Sequence, residues 1–427
     1  MTESRRVTFA FLDSPIELLD RWSVAILRAA VAFVVLIVGA YALHFRGRIR
    51  FVDEGDYLAI ARNLAHGNGF SIDGRHATAY RAPGWPVVLA PFRLVGIPVT
   101  GLRLVMVALL ALTVWLAWLL ANDLGGRVAA ALAAIASAVY PLEVYTTSTF
   151  YPETLATTLL MGATLCTVRA DRSESGRSAR KLLVAAGLLY SWCVLTVPPF
   201  AVAAVIGLAW YGFRHRGAVR TTLSWAIVAL LVPIAMWTTR DAVSMHAFVP
   251  ATTGSGYNLL LGNSEHATYG SGVTTDISRY QAVAAARKLD EVALNRYYQS
   301  SAVSWIENHP GRALLLWAEK SLNYFNATNK VATAGESSPA RNLLAAVTYY
   351  PLLALLVARL LLVRRYPLLA AEWLLLGTYV LMAPAMGIFV TRVRYRVPLD
   401  EVLLVLIATW IGRMAAGSDG RRAAVAA

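Results

Sequence analysis

The sequence predicts an all-α, polytopic membrane protein, a bundle of about ten membrane-spanning helices with two long loops on one side. Three observations lead there. Hydrophobic residues make up 57% of the 427 positions and charged residues only 15%, whereas an ordinary soluble domain carries about a quarter charged. Several apolar runs reach the roughly 20 residues that a helix needs to cross about 30 Å of hydrocarbon. None of them alternates apolar and polar residues as the strands of a membrane barrel do. The net charge of +14 would suggest nucleic acid in a soluble chain, but the excess lies in short loops between apolar runs, where Lys and Arg act as topology signals.

Residues 1–23 are polar and precede a full-length span at 24–43, which reads as a retained signal anchor rather than a cleaved leader. Residues 102–121 form the next span. Between them, 86–97 is apolar but about half a span long and contains Arg93, which favours a surface or re-entrant helix. Residues 128–145 and 151–168 make a hairpin whose connection, PLEVYTTSTFYPE, has no Lys or Arg, whereas the next connection, RADRSESGRSARK, has five. Basic residues in short loops are retained in the cytoplasm, so the five-charge connection faces inward and the hairpin faces outward. Residues 182–213 are apolar with Pro198-Pro199 in the middle and a basic loop after them. Two short spans turning at the proline pair keep that loop inside.

Residues 221–243 span again. From 244 to about 340 the composition turns to Gly, Asn, Ser, Thr and Tyr, which marks a second outer loop. Within it 278–309 reads as soluble helix, and 312–325 as an amphipathic helix in the interface with Glu319 and Lys320 turned away from the Leu and Trp positions. Spans at 341–363, 368–390 and 398–414 complete the ten, with both termini in the cytoplasm. The chain thus divides into a membrane module at 1–243 with a first outer loop at 44–101, the second outer loop at 244–340, and a membrane module at 341–427. No internal repeat occurs, which argues against transporters built from duplicated halves. Cys166 and Cys193 fall inside spans and read as small apolar core residues.

Chemistry concentrates in the first outer loop. Residues 51–89, FVDEGDYLAIARNLAHGNGFSIDGRHATAYRAPGWPVVL, hold Asp53, Glu54, Asp56, Arg62, Asp73, Arg75 and Arg81 in a chain with few charges elsewhere. Asp53 has two readings. It can be the N-cap of a helix that stops at Gly67. It can also be a general base for an incoming hydroxyl, with Glu54 as nearest substitute, because a carboxylate just beyond a span faces lipid-borne substrates. Arg392, Arg394 and Arg396 in RVRYRVP fall on the outer side, where the positive-inside rule disfavours them. Headgroup contact would make the three interchangeable. A grip on a lipid phosphate would not, because a guanidinium holds phosphate oxygens in a bidentate fork that Lys cannot reproduce.

Glu143 and Glu153 flank the uncharged hairpin and are candidates for a second site carboxylate. Glu153 follows Pro152 at a helix start, where the helix dipole alone favours a carboxylate. Asn263, after Gly262, lies in a Gly-rich stretch suited to tight turns and exposed backbone amides, for which an ordinary loop turn accounts. The seven histidines show no metal-ligand spacing.

In chain order, DE-x-x-Y-x-x-x-A-x-x-L-x-x-G-x-G-F, YRAPGWP, GYNLLLGNSEHATYGSG and RVRYRVPLDEVLL resemble the GT-C superfamily of membrane glycosyltransferases. The resemblance is to the bacterial branch related to aminoarabinose transferases and protein O-mannosyltransferases, and it runs from Asp53 to Leu404. It implies a long first outer loop with juxtamembrane helices, a polyprenyl-phosphate sugar as donor, and inverting transfer with Asp53 as base. It implies no required metal or other cofactor. Arg81 matches the position where aminoarabinose transferases use a Lys for the donor phosphate, so Arg81, Arg394 and Arg396 are the expected grip. Tyr80, Glu143, Glu153 and Asn263 are the further candidates for contact with substrate.

The implied partners are the lipid-linked sugar, a lipid, glycan or protein acceptor, and membrane lipids, with no nucleic acid. The implied place is a bacterial plasma membrane, with the site facing outward. The chain is shorter than the aminoarabinose transferases and has no sizeable soluble C-terminal domain, which leaves the acceptor open. Two rivals stand beside this reading. An O-antigen polymerase or ligase also carries an outer loop with arginines but does not need the DE pair. A flippase or transporter of lipid-linked sugars would place charges or broken helices near mid-membrane, whereas Arg28, Arg103 and Arg359 sit near the ends of their spans.

Overall fold

The computed structural model describes residues 15–216, 222–329 and 338–426, and no strand occurs among them. Residues 1–14 and part of the second outer loop, 330–337, lie outside the described residues. α1 (Pro15–His44) contains a π-helical turn at Val34–Val38. The connection predicted as the first outer loop carries α2 (Val52–Ala65) and α3 (Gly84–Leu94). α4 (Val99–Val139), the short α5 (Pro141–Thr146), α6 (Glu153–Asp171), α7 (Gly176–Thr196), α8 (Ala201–Arg214) and α9 (Ser224–Met245) follow. The connection predicted as the second outer loop carries α10 (Ser255–Gly262), α11 (Ser278–Ala286), α12 (Glu291–Asn308) and α13 (Pro310–Asn323). α14 (Pro339–Leu361), α15 (Ala370–Gly387) and α16 (Val393–Ala426) close the bundle.

Among the described residues six helices, α1, α4, α7, α9, α14 and α15, are long and apolar enough to cross a membrane. The chain is a multi-pass membrane protein. α4 has 41 residues, about 60 Å of helix if it were straight, which is twice the hydrocarbon thickness. It breaks at Gly126 (φ 77°, ψ −170°), a conformation open essentially to glycine alone, and so supplies two of the predicted spans. α6, α8 and α16 occupy the remaining predicted places, and α7 and α8 part at Pro198-Pro199 as the proline pair requires. α16 packs along α4, where Gly125 and Gly412 leave no room between the backbones: a Cβ on Gly125 would lie 2.7 Å from the Thr409 carbonyl oxygen. The main core joins α4, α6, α7, α8, α15 and α16.

Three local expectations change. The N-cap of α2 is Phe51, in extended conformation, and no side chain caps the helix, so Asp53 is free for other partners. Gly67, at φ 78°, does end the helix as its left-handed stop. The predicted helix at 278–309 is two helices, because Lys288 turns left-handed at φ 50° and the Asp290 carboxylate accepts from the Ala293 amide at 2.8 Å to start α12. Lys320 does not face outward from α13. It is only 1% exposed, while Leu314, Leu315 and Leu322 of the same helix point away from the protein.

Candidate active site

The outer-loop helices place one cavity of about 350 Å³ at the end of the bundle. Its floor is built first. Arg103, near the start of α4, collects the carbonyls of Arg46, Arg48 and Ser148 at 2.7, 2.6 and 2.7 Å, which ties the end of α1 to the hairpin connection. Trp85 of α3 donates to the Phe150 carbonyl at 2.8 Å, and Phe51 stacks on Tyr151 with ring centres 5.4 Å apart. These contacts set Tyr151 and Glu153 against the start of α2. The second outer loop fixes the other side: Thr252 donates to the Tyr80 carbonyl at 2.7 Å, and Glu291 of α12 accepts from the Thr78 hydroxyl at 2.7 Å and the Ala79 amide at 2.9 Å. Tyr80 and Arg81 are therefore held by a segment more than 170 positions away.

The charged centre of the cavity is Asp53. One carboxylate oxygen lies 2.7 Å from Arg81 and the other 3.2 Å from Arg394. Arg81 also pairs with Asp56 at 2.7 Å, and Arg394 lies 3.7 Å from Glu153. Tyrosine rings enclose both guanidiniums, with Arg81 over Tyr80 at 4.7 Å and Arg394 over Tyr151 at 4.1 Å. Burial raises the Asp53 carboxyl, but the charges and hydrogen bonds of Arg394 and Arg81 outweigh it, and the group ends below the ordinary carboxylate range. Glu54, one residue on, is turned out of the cavity, and burial lifts it to about 7 against the pull of Arg50 and Arg103. A second cavity of about 600 Å³, with apolar walls at Phe33, Leu142, Val144 and Leu344, shares Tyr151 and Arg394 with the first.

Compared by sequence, residues 83–252 match the family described as dolichyl-phosphate-mannose-protein mannosyltransferase. No curated protein matches the chain. Among solved structures, the oligosaccharyltransferase of Archaeoglobus fulgidus is similar at 15% identity and a TM-score of 0.53, over 90% of this chain and 50% of that one. The archaeal oligosaccharyltransferase AglB from Archaeoglobus fulgidus, in complex with an inhibitory peptide and a dolichol-phosphate, aligns at 15% identity and a TM-score of 0.53, over 91% and 50%. Part of the chain is thus similar to that family, and the chain shares the fold of the archaeal oligosaccharyltransferase. It spans half the length of those archaeal chains. ArnT from Cupriavidus metallidurans bound to undecaprenyl phosphate aligns at 16% identity and a TM-score of 0.46, over 93% of this chain and 79% of that one.

The cavity gathers five of the residues singled out in the sequence, Asp53, Tyr80, Arg81, Glu153 and Arg394. Four others lie outside its lining. Glu54 and Glu143 are fully buried away from it, and Asn263 spends its amide on the Leu259 and Ile388 carbonyls, each at 2.9 Å. Arg396 is a correction to the expected phosphate grip. α16 begins at Val393, so Arg394 and Arg396 both stand on it, and two residues on a helix turn about 200°. Arg396 therefore points into the core, pairs with Asp400 at 2.8 Å, donates to the Tyr324 and Asn326 carbonyls, and lies over the Tyr349 ring at 3.5 Å. The sequence reading passed over Tyr57, Tyr151, Tyr257 and Tyr395, which line the cavity. Two of them had a signal, since Tyr57 is the fixed tyrosine of DE-x-x-Y and Tyr395 follows Arg394. Among the described residues no group of three or more His, Cys, Asp or Glu side chains is arranged to hold a metal ion.

Proposed function

We propose that the protein is an inverting glycosyltransferase that moves a sugar from a polyprenyl-phosphate donor to an acceptor hydroxyl on the outer face of a bacterial plasma membrane. The observation that carries this reading is the meeting of one carboxylate, Asp53, with two guanidiniums, Arg81 and Arg394, in one cavity beside apolar helices. The acceptor oxygen attacks the sugar's anomeric carbon from the face opposite the phosphate. The carbon–oxygen bond to the phosphate breaks, its electron pair stays on the phosphate, and the acceptor proton passes to Asp53.

Without donor, Arg81 and Arg394 hold Asp53 and depress its basicity. A donor phosphate competes for the same guanidiniums and draws them off the carboxylate. Asp53 then becomes a better base when the leaving group is in place. Charge builds on the phosphate as the bond breaks, so the guanidiniums stabilise the transition state more than the bound donor. Glu153 keeps Arg394 aimed from its other edge. The tyrosine hydroxyls around the cavity offer donors and acceptors to sugar hydroxyls. The adjoining apolar cavity suits an isoprenoid chain. The matched family's description names a dolichyl-phosphate sugar, and the archaeal structure of the same fold carries dolichol-phosphate.

Purified protein incubated with a panel of polyprenyl-phosphate hexoses and pentoses, plus a membrane extract as acceptor source, should release polyprenyl phosphate from at least one of them. Asp53→Asn should release none. A folded protein that releases nothing from the whole panel would overturn the reading.

A further inference from the structure

Among the described residues Lys320 of α13 is the one buried lysine, and its surroundings are unusual for a charged group. Its ammonium donates to the Gly262 carbonyl at 2.9 Å and the Phe389 carbonyl at 2.8 Å, with the Asn263 side-chain oxygen and the Ile388 carbonyl each at 3.4 Å. No carboxylate pairs with it among the described residues. Burial lowers its pKa to about 7. A buried ammonium with no counter-ion is costly, and the four oxygens are what offset the cost. Those oxygens come from two helix ends. Gly262 is the last residue of α10, and Ile388 and Phe389 follow the last residue of α15. The carbonyl ends of helices carry partial negative charge, and the ammonium sits where the two meet.

The packing around this point admits no spacer. A Cβ on Gly262 would lie 2.1 Å from the Phe389 carbonyl oxygen, and one on Gly387 would lie 2.5 Å from the Ser321 hydroxyl of α13. Neighbouring side chains hold the same link. Asn263 donates to the Ile388 carbonyl at 2.9 Å, and Asn323 of α13 donates to the Thr391 hydroxyl at 3.0 Å. The link 388–392 supplies Phe389 and Val390 to the wall of the cavity and leads directly into α16, on which Arg394 stands.

We infer that Lys320 is a positioning residue: by tying the carbonyl ends of α10 and α15 together it fixes the 388–392 link and so the place of Arg394 against Asp53. A neutral side chain of similar volume leaves two helix ends with facing carbonyls and no donor between them. The link then loosens, and Arg394 loses its register with Asp53 and the donor phosphate.

The kinetic part of the test rests on the proposed sugar transfer, and the structural part does not. Single-turnover transfer should be about tenfold slower in Lys320→Met, within the range of coupling between residues that share a network. The double variant Lys320→Met/Arg394→Ala should be no slower than Arg394→Ala alone, because the lysine acts through the arginine. Losses that multiply would mean general destabilisation and would overturn the inference. Where Lys320→Met does not fold, Asn263→Ala, which removes one bond of the same tie, takes its place in the cycle. Hydrogen exchange in Lys320→Met should quicken at 388–393 and at 260–263. Exchange unchanged at 388–393 overturns the inference whether or not any donor is turned over. Quickened exchange in a protein whose wild type transfers no sugar would sink the proposed function and leave the tie standing.

Discussion

At the scale of the residue, Asp53 is defined by its partners. Asp53→Asn keeps the shape and loses the basicity, so the variant should melt near wild type in detergent and lose at least about a hundredfold in transfer, the usual share of a general base. Turnover near wild type would remove Asp53 from the chemistry. Arg394 and Arg396 are two positions apart and should behave differently. Arg394→Ala should lower turnover by about a hundredfold with no rescue by Lys, because a preorganised fork has gone. Arg396→Ala leaves Asp400 buried and unpaired, a loss of roughly 3–5 kcal/mol, and should appear as a fall in melting temperature and yield. Equal kinetic losses in two equally stable proteins would contradict this division. Glu54 gives a pH signature. Its carboxyl is raised to about 7 in the fold from about 4.5 unfolded, so the folded state binds the extra proton between those values. Stability is full below about 4.5 and falls as pH rises toward 7, by at most about 1.4 kcal/mol per pH unit for one proton. Glu54→Gln should flatten that slope in a melting series from pH 4.5 to 8.

At the scale of the element, the helices were legible because apolar length and breaker residues are local properties. The 11-residue α3 between the first two spans, the break at Pro198-Pro199 and the stop at Gly67 follow from residues that stand beside them in the chain. What escaped the sequence were the contacts made across long separations. Lys320 reads as an outward residue of an amphipathic helix until Gly262 and Phe389, 58 and 69 positions away, bring their carbonyls to it. Arg396 reads as a third outer arginine until α16 is seen to begin at Val393. Helix-to-helix fit is equally non-local, and it carries a prediction. A Cβ on Gly187 of α7 would lie 2.3 Å from the Ala226 carbonyl oxygen of α9, whereas one on Gly311 of α13 meets nothing within 4 Å. Gly187→Ala should force the two helices apart and cost roughly 1–3 kcal/mol, while Gly311→Ala should be neutral or slightly stabilising. Melting temperatures of the pair measure the contrast, and equal values would mean that α7 and α9 yield more readily than their backbones suggest.

At the scale of the whole molecule, a substrate site must have its parts in one compartment, and the two ends of this bundle differ in kind. One end holds the cavity, with Asp53, Arg81 and Arg394 drawn from the first outer loop and from α16. Other charge clusters belong to the loops that the positive-inside rule assigns to the cytoplasm: Arg169 with Asp123 at 2.7 Å, Arg214 with Asp171 at 2.6 Å, and Arg359 and Arg413 around Glu372. The pairing of these arginines explains why the basic loops are compatible with a folded surface, and the charge rule predicts their orientation. It can be read directly. Asn68 after α2 and Glu307 of α12 are exposed on the two loops that build the cavity, and Glu174 is exposed on the connection between α6 and α7. Single cysteines at these positions, in a background without Cys166 and Cys193, should divide two against one. Asn68→Cys and Glu307→Cys should react with an impermeant thiol reagent added to intact cells, and Glu174→Cys should react only after the membrane is opened. The reverse pattern would turn the molecule over and put Asp53 beside cytoplasmic substrates. Protection of Asn68→Cys alone would separate the two outer loops, which the hydrogen bonds from Glu291 to Thr78 and Ala79 require to lie on one side.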